Sequence, residues 1–539
     1  MNERKKDGGT GTGTRTRTGN KIRGVEQEYP VSAKATSNPS LLVNAAIQGL
    51  KRRKFSRDVK WDTTTEISQE ANESRIASSY GDNGCRIYND MGHLEISTPS
   101  YNNPFDAVAY DKVSEIYAFV GSREASLALK KRVVIHKNNV ANFFSRAGAA
   151  AAGSGIHIGK GKKVKTNTYA THGNIITKRE ACEDWSRVEK ALIPWVVTRI
   201  LFTGSGDVVS GDTIGKEGVK FVISPRAMFV VQKSSLSTTV GRGILNTRDQ
   251  PHAAHQYWRL HDIHYEALRS EYAIFLRDIA QAMVICAFEL GFLDNAPEID
   301  DPVRAFKKIS LDTQECEWKI KLKNGKRIDA VSVLQFYLEG IEKMYKERGG
   351  EGKWDKIGWK GLKEVIEKLE ARHLEKYVDG IDWVTKLALL VNYKPKSASE
   401  GISICNQYAL LDESVMYYLD DGEESIKGSC LFNPKESQAF AKKELPEVDW
   451  SSLPDRVKYA LSNAPEQTRE FFKAEMLRWY GSHVRSVSWS TMVLDEAKIM
   501  LDEPFMLNKA EIGAEMIEGR EIEEVLSAAK RLYPDKVIY

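Results

Sequence analysis

Cysteine is scarce: six residues in 539, Cys85, Cys182, Cys286, Cys316, Cys405 and Cys430, with no CxxC spacing among them. That scatter excludes a disulfide framework and a thiolate zinc site, and it favours a reducing cytoplasm. Long apolar runs are also missing. The two longest, "ALIPWVVTRILF" and "AQAMVICAFELGF", fall short of the ~20 residues that cross a bilayer, so no membrane partner is expected. "MNERKKDGG" lacks the apolar core of a secretory signal. Charge of one sign is not in excess either, since 78 Lys and Arg face 74 Asp and Glu, a net charge of +4. The segment before Gly24 holds Arg4, Lys5, Lys6, Arg15, Arg17, Lys21 and Arg23 against Glu3 and Asp7, which leaves the remainder close to neutral. Within it, "GGTGTGTRTRTGN" is low in complexity and has no aromatics to stack on bases. Residues 1–22 therefore read as a disordered basic tail, and no specific nucleic acid is expected.

What is present is an ordinary globular balance of 42% apolar and 28% charged residues, in a chain long enough for one large domain and a smaller one. "IRGVEQEYPVSA" predicts a strand, and "NPSLLVNAAIQGLKRRKF" a helix with Asn38 as its N-cap and Pro39 at its first position. The polar stretch from Ser56 to Gly84 predicts a loop. It ends at "CRIYNDMGHLEIST", where Arg86, Tyr88 and Asp90 share one face of an extended chain. "PFDAVAYDKVSEIYAFVGSREASLALKK" predicts a helix and "RVVIHKNN" a strand. The run "GSGIHIGKGK" lacks the Ser or Thr of a phosphate loop and reads as a loop between strands. "GVKFVIS" and "RAMFVVQ" predict strands, "SEYAIFLRDIAQAMVICAFELGF" a helix apolar almost all round, and Asn295 to Tyr393 a charged helical block. No internal repeat is evident. Hairpin strands followed by helices indicate an α+β architecture.

Three segments compete for a shared site. Glu26 and Glu28 sit inside a strand, where carboxylates are poorly placed and costly to bury unpaired. Arg86, Tyr88, Asp90 and Glu95 form the second group, and Arg248, His252, Arg259 and His261, crowded into "LNTRDQPHAAHQYWRLH", form the third. Carboxylates with histidines suit magnesium or manganese bound with a nucleotide, and arginines nearby would neutralise phosphate.

"GVEQEY", "NGCRIYNDMGHLE", "HKNN", "TYATHGN", "FTGSG", "ISPRA", "LNTRDQPHAAHQYWRLH", "IDWVTK" and "VSWSTMVLD" occur in the order of similar blocks in the Pup ligase and Pup deamidase (depupylase) family. The chain resembles that family from about Arg23 to its last domain, most distinctively in "NTRDQPHA" followed by "RLH". The resemblance implies a glutamine synthetase-like carboxylate-amine ligase fold. A curved, mostly antiparallel sheet would cradle ATP and Mg2+ in a catalytic domain over residues 23–425, backed by helices. A small C-terminal domain, residues 426–539, would complete the nucleotide and modifier site. Carried over by position, the resemblance implies that Glu26, Tyr88 and Glu95 ligate magnesium, that Arg86 and Thr98 contact ATP, and that Trp489 lines the adenine pocket. Asp90 takes the catalytic position, and Arg226, Arg248 and Arg259 address phosphate or a substrate carboxylate. Glu28, His172, His252 and His261 are further candidates.

The spacing of Asp90 to Glu95 matches the shorter, depupylase form, and "KWDTTTE" resembles the depupylase's extra loop. The expected activity is therefore an ATP- and Mg2+-dependent deamidase and depupylase. It would hydrolyse the side-chain amide or isopeptide bond at the C-terminal Gln or Glu of a small Pup-like or ubiquitin-like bacterial protein modifier, with a link to the proteasome. The alternatives are the ligase that makes that bond, a nucleotide-binding pseudoenzyme that holds the modifier, and a ligase of small amino acids or peptides. Three departures from the family pattern stand out. His172, Gly173, Asn174 and Ile175 replace His-Glu-Asn-Tyr, which implies a carboxylate missing near the site. Leu94, Glu95 and Ile96 replace Pro-Glu-Tyr, and residues 141–166 carry an insertion.

Overall fold

A computed structural model describes residues 17–34, 36, 38–62, 78–146, 156–157, 162–169, 171–210, 219–411, 417–419, 428–430 and 455–539. The organising strand is β1 (Arg23–Ala33), whose residues alternate between a buried face bearing Val25, Gln27, Tyr29 and Val31 and a more open one bearing Glu26 and Glu28. The other strands of its sheet are β2 (Ser56–Arg57), β3 (Ser78–Gly81), β4 (Arg86–Asp90), β5 (His93–Ser97) and β6 (Val133–Ile135). A separate three-stranded sheet follows, of β7 (Val140–Arg146), β8 (Ile156–His157) and β9 (Lys162–Thr168), and then β10 (Thr171–Lys178) rejoins the main one. After the hairpin of β11 (Asp207–Ser210) and β12 (Val219–Val222), the main sheet is completed by β13 (Gln232–Ser235), β14 (Gly243–Asn246) and β15 (Tyr257–Asp262). Its ten strands run in the order β13-β14-β15-β10-β1-β5-β4-β3-β2 with β6 paired to β1, antiparallel throughout except at β13 and β14.

Helices cover the buried face. α1 (Pro39–Arg52) begins where the sequence predicts it, with Pro39 at the first position, but the Asn38 side chain makes no capping hydrogen bond. α2 (Pro104–Leu129) is capped by Asn103, whose side chain accepts from the N–H groups of Phe105 and Asp106. α3 (Trp185–Thr203) and α4 (Glu271–Glu289) pack with α5 (Pro302–Leu311), α6 (Ala330–Arg348) and α7 (Lys353–Glu370) in the largest apolar core. There Phe275, Leu276 and Ile279 are fully buried, and each such side chain contributes roughly 1.5–3 kcal/mol. α8 (Asp382–Tyr393) and α9 (Ala398–Ala409) flank that core.

A buried ionic network lies between α2, α4 and β1. Lys137 bridges Asp111 and Glu115, the latter at 2.8 Å; Lys112 meets Glu115 at 3.0 Å and Glu271 at 3.4 Å; and Arg269 and Arg277 approach Glu115 and Asp111 at 3.7 and 3.8 Å.

α10 (Asp455–Ser462) packs Val457 and Ala460 against α2, in the core behind the sheet. From Phe471 onward the chain builds a second core out of α11 (Glu470–Tyr480), α12 (Ile522–Leu532) and a four-stranded sheet of β20 (Val484–Val487), β21 (Thr491–Leu494), β22 (Lys498–Met500) and β23 (Val537–Ile538). The labels between belong to two small hairpins, β16 (Lys319–Lys321) with β17 (Arg327–Asp329), and β18 (Tyr417–Leu419) with β19 (Gly428–Cys430).

Several expectations change. The basic tail does not extend to residue 22: Thr18 is buried against Asp355, Lys21 pairs with Glu289 at 2.5 Å and Arg23 with Asp278 at 3.0 Å, so its last charges are consumed inside the fold. Residues 1–16 lie outside the described residues. "RAMFVVQ" is not one strand, because Arg226–Phe229 form a 3-10 turn and β13 starts only at Gln232. "CRIYNDMGHLEIST" is a hairpin, and the stretch from Ser56 to Gly84 contributes β2 and β3. The helical block holds the β16–β17 hairpin, and most of "GSGIHIGKGK" lies outside the described residues. Cys85, Cys182, Cys286, Cys316 and Cys405 are buried free thiols. Among the described residues, no helix is long and apolar enough to cross a membrane.

Candidate active site

The open face of the sheet forms the floor of a cleft of about 1570 Å³. Register decides what meets there. Glu28 lies opposite Glu95, Tyr88 opposite Glu95, Asp90 opposite His93, and Glu26 opposite His172 on one side and Ser97 on the other. Asn174 pairs with His261, which carries the set onto β15. Since cross-strand partners share a face, five strands deliver their polar residues into one cleft.

Two donor groups result. In the first, Glu26, His172 and His261 bring ligand atoms within 4.8 Å of one another. His172 Nδ1 and His261 Nε2 lie 3.2 and 3.6 Å from Glu26 Oε2, while Asn174 donates to Oε1 at 2.9 Å and Arg259 lies 3.8 Å from it. Burial works to raise the Glu26 carboxyl, but the His172 and His261 imidazoles against it outweigh that effect and hold the group well below the usual carboxylate range. Burial and the neighbouring Arg259 charge push His261 down to about 4, so its imidazole is neutral at physiological pH. In the second group, Glu28, Asp90 and Glu95 also converge within 4.8 Å. Burial, and then the charges of Asp90, Glu28 and Glu26, raise the Glu95 carboxyl well above its ordinary value. Tyr88 donates its hydroxyl to Glu95, and burial keeps that phenol protonated by raising it well above the usual tyrosine range.

The expected magnesium ligands Glu26, Tyr88 and Glu95 are distributed over these two groups. Glu26 is grouped with two histidines, and Tyr88 serves Glu95 as a hydrogen-bond donor. The donors nevertheless fit divalent cations, one group all oxygen and one of mixed nitrogen and oxygen, and the repulsion that raises Glu95 is what a cation would relieve.

Further along the cleft, Arg86 is buried with its guanidinium 3.9 Å from the Trp61 ring centroid and 4.2 Å from that of Tyr88. Trp489 of the C-terminal domain stands edge-on to Trp61 at 4.9 Å, and His252 lies 6.1 Å beyond it. His252 has a left-handed backbone, φ 47°, and a ring pushed well below the usual histidine range by burial and by Arg259 and Arg469. Its loop is held by the C-terminal domain: Gln256 and Tyr257 donate to Glu503 at 2.7 and 3.2 Å. Arg248 lines the same cleft. Arg226 is fixed by two hydrogen bonds to the Ile263 carbonyl, at 3.2 and 2.9 Å, and lowered to about 9 by burial and by Arg242.

Thirteen of the fourteen expected residues line the cleft: Glu26, Glu28, Arg86, Tyr88, Asp90, Glu95, His172, Arg226, Arg248, His252, Arg259, His261 and Trp489. Thr98 does not. It follows β5, is buried, and its hydroxyl accepts from the Val25 N–H at 3.0 Å. Gly173 also departs from expectation. It faces the back of the sheet, where a Cβ would stand 2.6 Å from the Tyr265 ring, so no carboxylate is missing from the cleft at this position. Sequence reasoning overlooked His93 and Asn174, although the alternation through Glu95 and His172 could have found them. It also overlooked Trp61, which only tertiary contact reveals.

The family profile described as Pup-ligase protein matches residues 21–493. The chain is 28% identical over 547 residues to the depupylase of Acidothermus cellulolyticus, covering 94% of this chain and 99% of that protein. It is 28% identical to the Pup deamidase/depupylase of Mycolicibacterium smegmatis, over 92% of this chain and 96% of that one, and 28% identical to the Pup–protein ligase of Acidimicrobium ferrooxidans, over 90% and 96%. Its fold is similar to that of the ligase PafA in complex with the prokaryotic ubiquitin-like protein Pup: TM-score 0.68, 19% identity, 97% of this chain and 94% of that chain covered. It is also similar to PafA in complex with ADP, with a TM-score of 0.61, 20% identity, and 90% and 98% covered.

Proposed function

Because the chain belongs to the Pup-ligase protein family, we propose that it is an enzyme acting on a Pup-like modifier, and specifically a nucleotide-dependent deamidase and depupylase. The observation that carries the hydrolytic reading is the turn between β4 and β5. Asp90 pairs with His93 across two residues, Met91 and Gly92, with φ of 47° and 91°. Left-handed conformations at both positions make the tightest kind of hairpin, with no spare residue. Asp90 and Glu95 are thereby held at the shorter spacing that resembles the depupylase branch, and Asp90 stands at the end of the cleft beside Glu28 and Glu95.

The nucleotide assignment rests on the cleft and on the ADP complex of PafA. Trp489 and His252 would hold the base, and Arg86, Arg248 and Arg259 the phosphates. Glu28 and Glu95 on one side, and Glu26 with His172 and His261 on the other, would hold divalent cations, which when bound would neutralise phosphate charge. Tyr88 keeps Glu95 oriented through its hydrogen bond. Arg226 would face a carboxylate of the modifier's terminal residue. Asp90 would act on the scissile amide, either by taking a proton from the attacking water or by attacking the carbonyl carbon itself. Along either route the C–N bond breaks and the nitrogen leaves as ammonia or as the target's lysine amine after gaining a proton; on the second route water then hydrolyses the anhydride formed with Asp90, and in both the modifier's side chain becomes a carboxylate.

Intact-mass spectrometry of the modifier tests this reading, with the full chain, ATP and magnesium present. Conversion of a C-terminal Gln to Glu, and release of a conjugated protein, is the expected result. Attachment of the Glu form to a lysine-bearing protein, without any deamidation, would instead establish the ligase.

A further inference from the structure

Trp61 lies outside the cleft lining, yet it is buried to 8% exposure and packs against a residue that is part of the cleft. The Arg86 guanidinium sits between two rings, Trp61 at 3.9 Å and Tyr88 at 4.2 Å, with Trp489 at 5.7 Å. Tyr88 comes with β4 itself, two residues on and on the same face. Trp61 comes from elsewhere. Its segment adds to the edge of the C-terminal sheet: Trp61 bridges Val487 in parallel, the Asp62 N–H donates to the Val487 carbonyl at 2.7 Å, and the Val487 N–H donates to the Lys60 carbonyl at 3.0 Å. Trp61 also stands edge-on to Trp489, 4.9 Å away. Three separate stretches of chain thus meet on one arginine.

We propose that Trp61 is a positioning residue for the nucleotide site: it fixes the plane of Arg86 and so makes the grip on nucleotide phosphates depend on the docked C-terminal sheet. The inference rests on the reading that Arg86 contacts those phosphates. With the rings of two separate segments against it, the long Arg86 side chain has few rotamers left to it beside the cleft. Without the indole, one face is open and the long side chain regains rotamers that it must lose again when a phosphate binds. On that reading the base meets Trp489 and His252, not Trp61, so a ligand without phosphates should be far less sensitive to the change.

Titration of the full chain with ADP and with adenosine, in magnesium buffer, tests this. Trp61→Leu is expected to weaken ADP about tenfold and leave adenosine within about twofold, while Trp61→Phe, which keeps a stacking face, recovers most of the ADP affinity. In an Arg86→Gln background, Trp61→Leu should have no further effect, because the indole acts through the arginine. Unchanged ADP affinity in Trp61→Leu, equal loss of both ligands, or full additivity with Arg86→Gln would each overturn the inference while the nucleotide reading stands. If Arg86→Gln leaves ADP affinity intact, or the unaltered chain binds no ADP, the nucleotide reading fails first and takes the inference with it. Should Trp61→Leu not fold, Trp61→Met carries the same expectations.

Discussion

Glu115 lies behind the central sheet and Glu95 in front of it, and burial works to raise both carboxyls. Behind the sheet, Lys112, Lys137 and Arg269 overcome that effect and pull Glu115 down to about 2. In front, Asp90, Glu28 and Glu26 add to it and push Glu95 further up. One face brings its own cations; the other gathers carboxylates against their mutual repulsion. A buried charge that is already paired is part of the scaffold, whereas like charges held together against their repulsion store a preference for a ligand.

That contrast can be broken at several points. On the open face, Asp90→Asn should lower turnover about 100- to 10,000-fold while changing ADP affinity and thermal stability little, and full activity in that variant would remove Asp90 from the catalytic role. On the buried face, Lys137→Met should cost about 3–5 kcal/mol in chemical denaturation, because it removes the cation that bridges Asp111 and Glu115; a loss below about 1 kcal/mol would mean that the network is hydrated. Gly173→Glu, which restores the family's usual residue, should cost about 3 kcal/mol in the same measurement and improve nothing in turnover, since the new side chain must displace Tyr265. Smallest is the metal response. Magnesium at a hundredfold excess over its Kd should stabilise the chain by about 2.7 kcal/mol in thermal melts, and Glu95→Gln should shrink that gain.

The pH dependence of the two carboxylates is opposite in sign. Glu115 is depressed below its ordinary value of 4.5, so its stabilisation is complete above that pH and fades as pH falls toward 2. Glu95 is raised above 4.5, so in chelator it destabilises the chain increasingly as pH climbs through and above that value. Glu95→Gln should therefore make the metal-free protein more stable at pH 8 than the unaltered chain, and equal melting of the two would remove the stored repulsion from the account.

Much of the cleft was legible because strands alternate. Glu26 with Glu28, and Arg86 with Tyr88 and Asp90, had to share faces once their segments were read as extended. The same parity places Gly173, beside His172, behind the sheet against Tyr265, so the cleft lacks no carboxylate there. Thr98 misled for another reason: it lies one residue past the end of β5, where alternation no longer governs, and it turned to the Val25 backbone instead. "RAMFVVQ" was apolar enough for a strand, but Arg226–Phe229 form a 3-10 turn in which Arg226 donates to the Ile263 carbonyl.

By itself the sequence determined the local periods, the α+β class and the family. Only the tertiary structure decided that β1, β5, β4, β10 and β15 lie side by side in a register that makes two donor groups instead of one, and that residues 60–62 join the C-terminal sheet behind Arg86. Period and turn chemistry act over a few neighbouring residues and can be read from them. Register and docking are set by which distant faces bury each other best, a choice made by the whole chain at once.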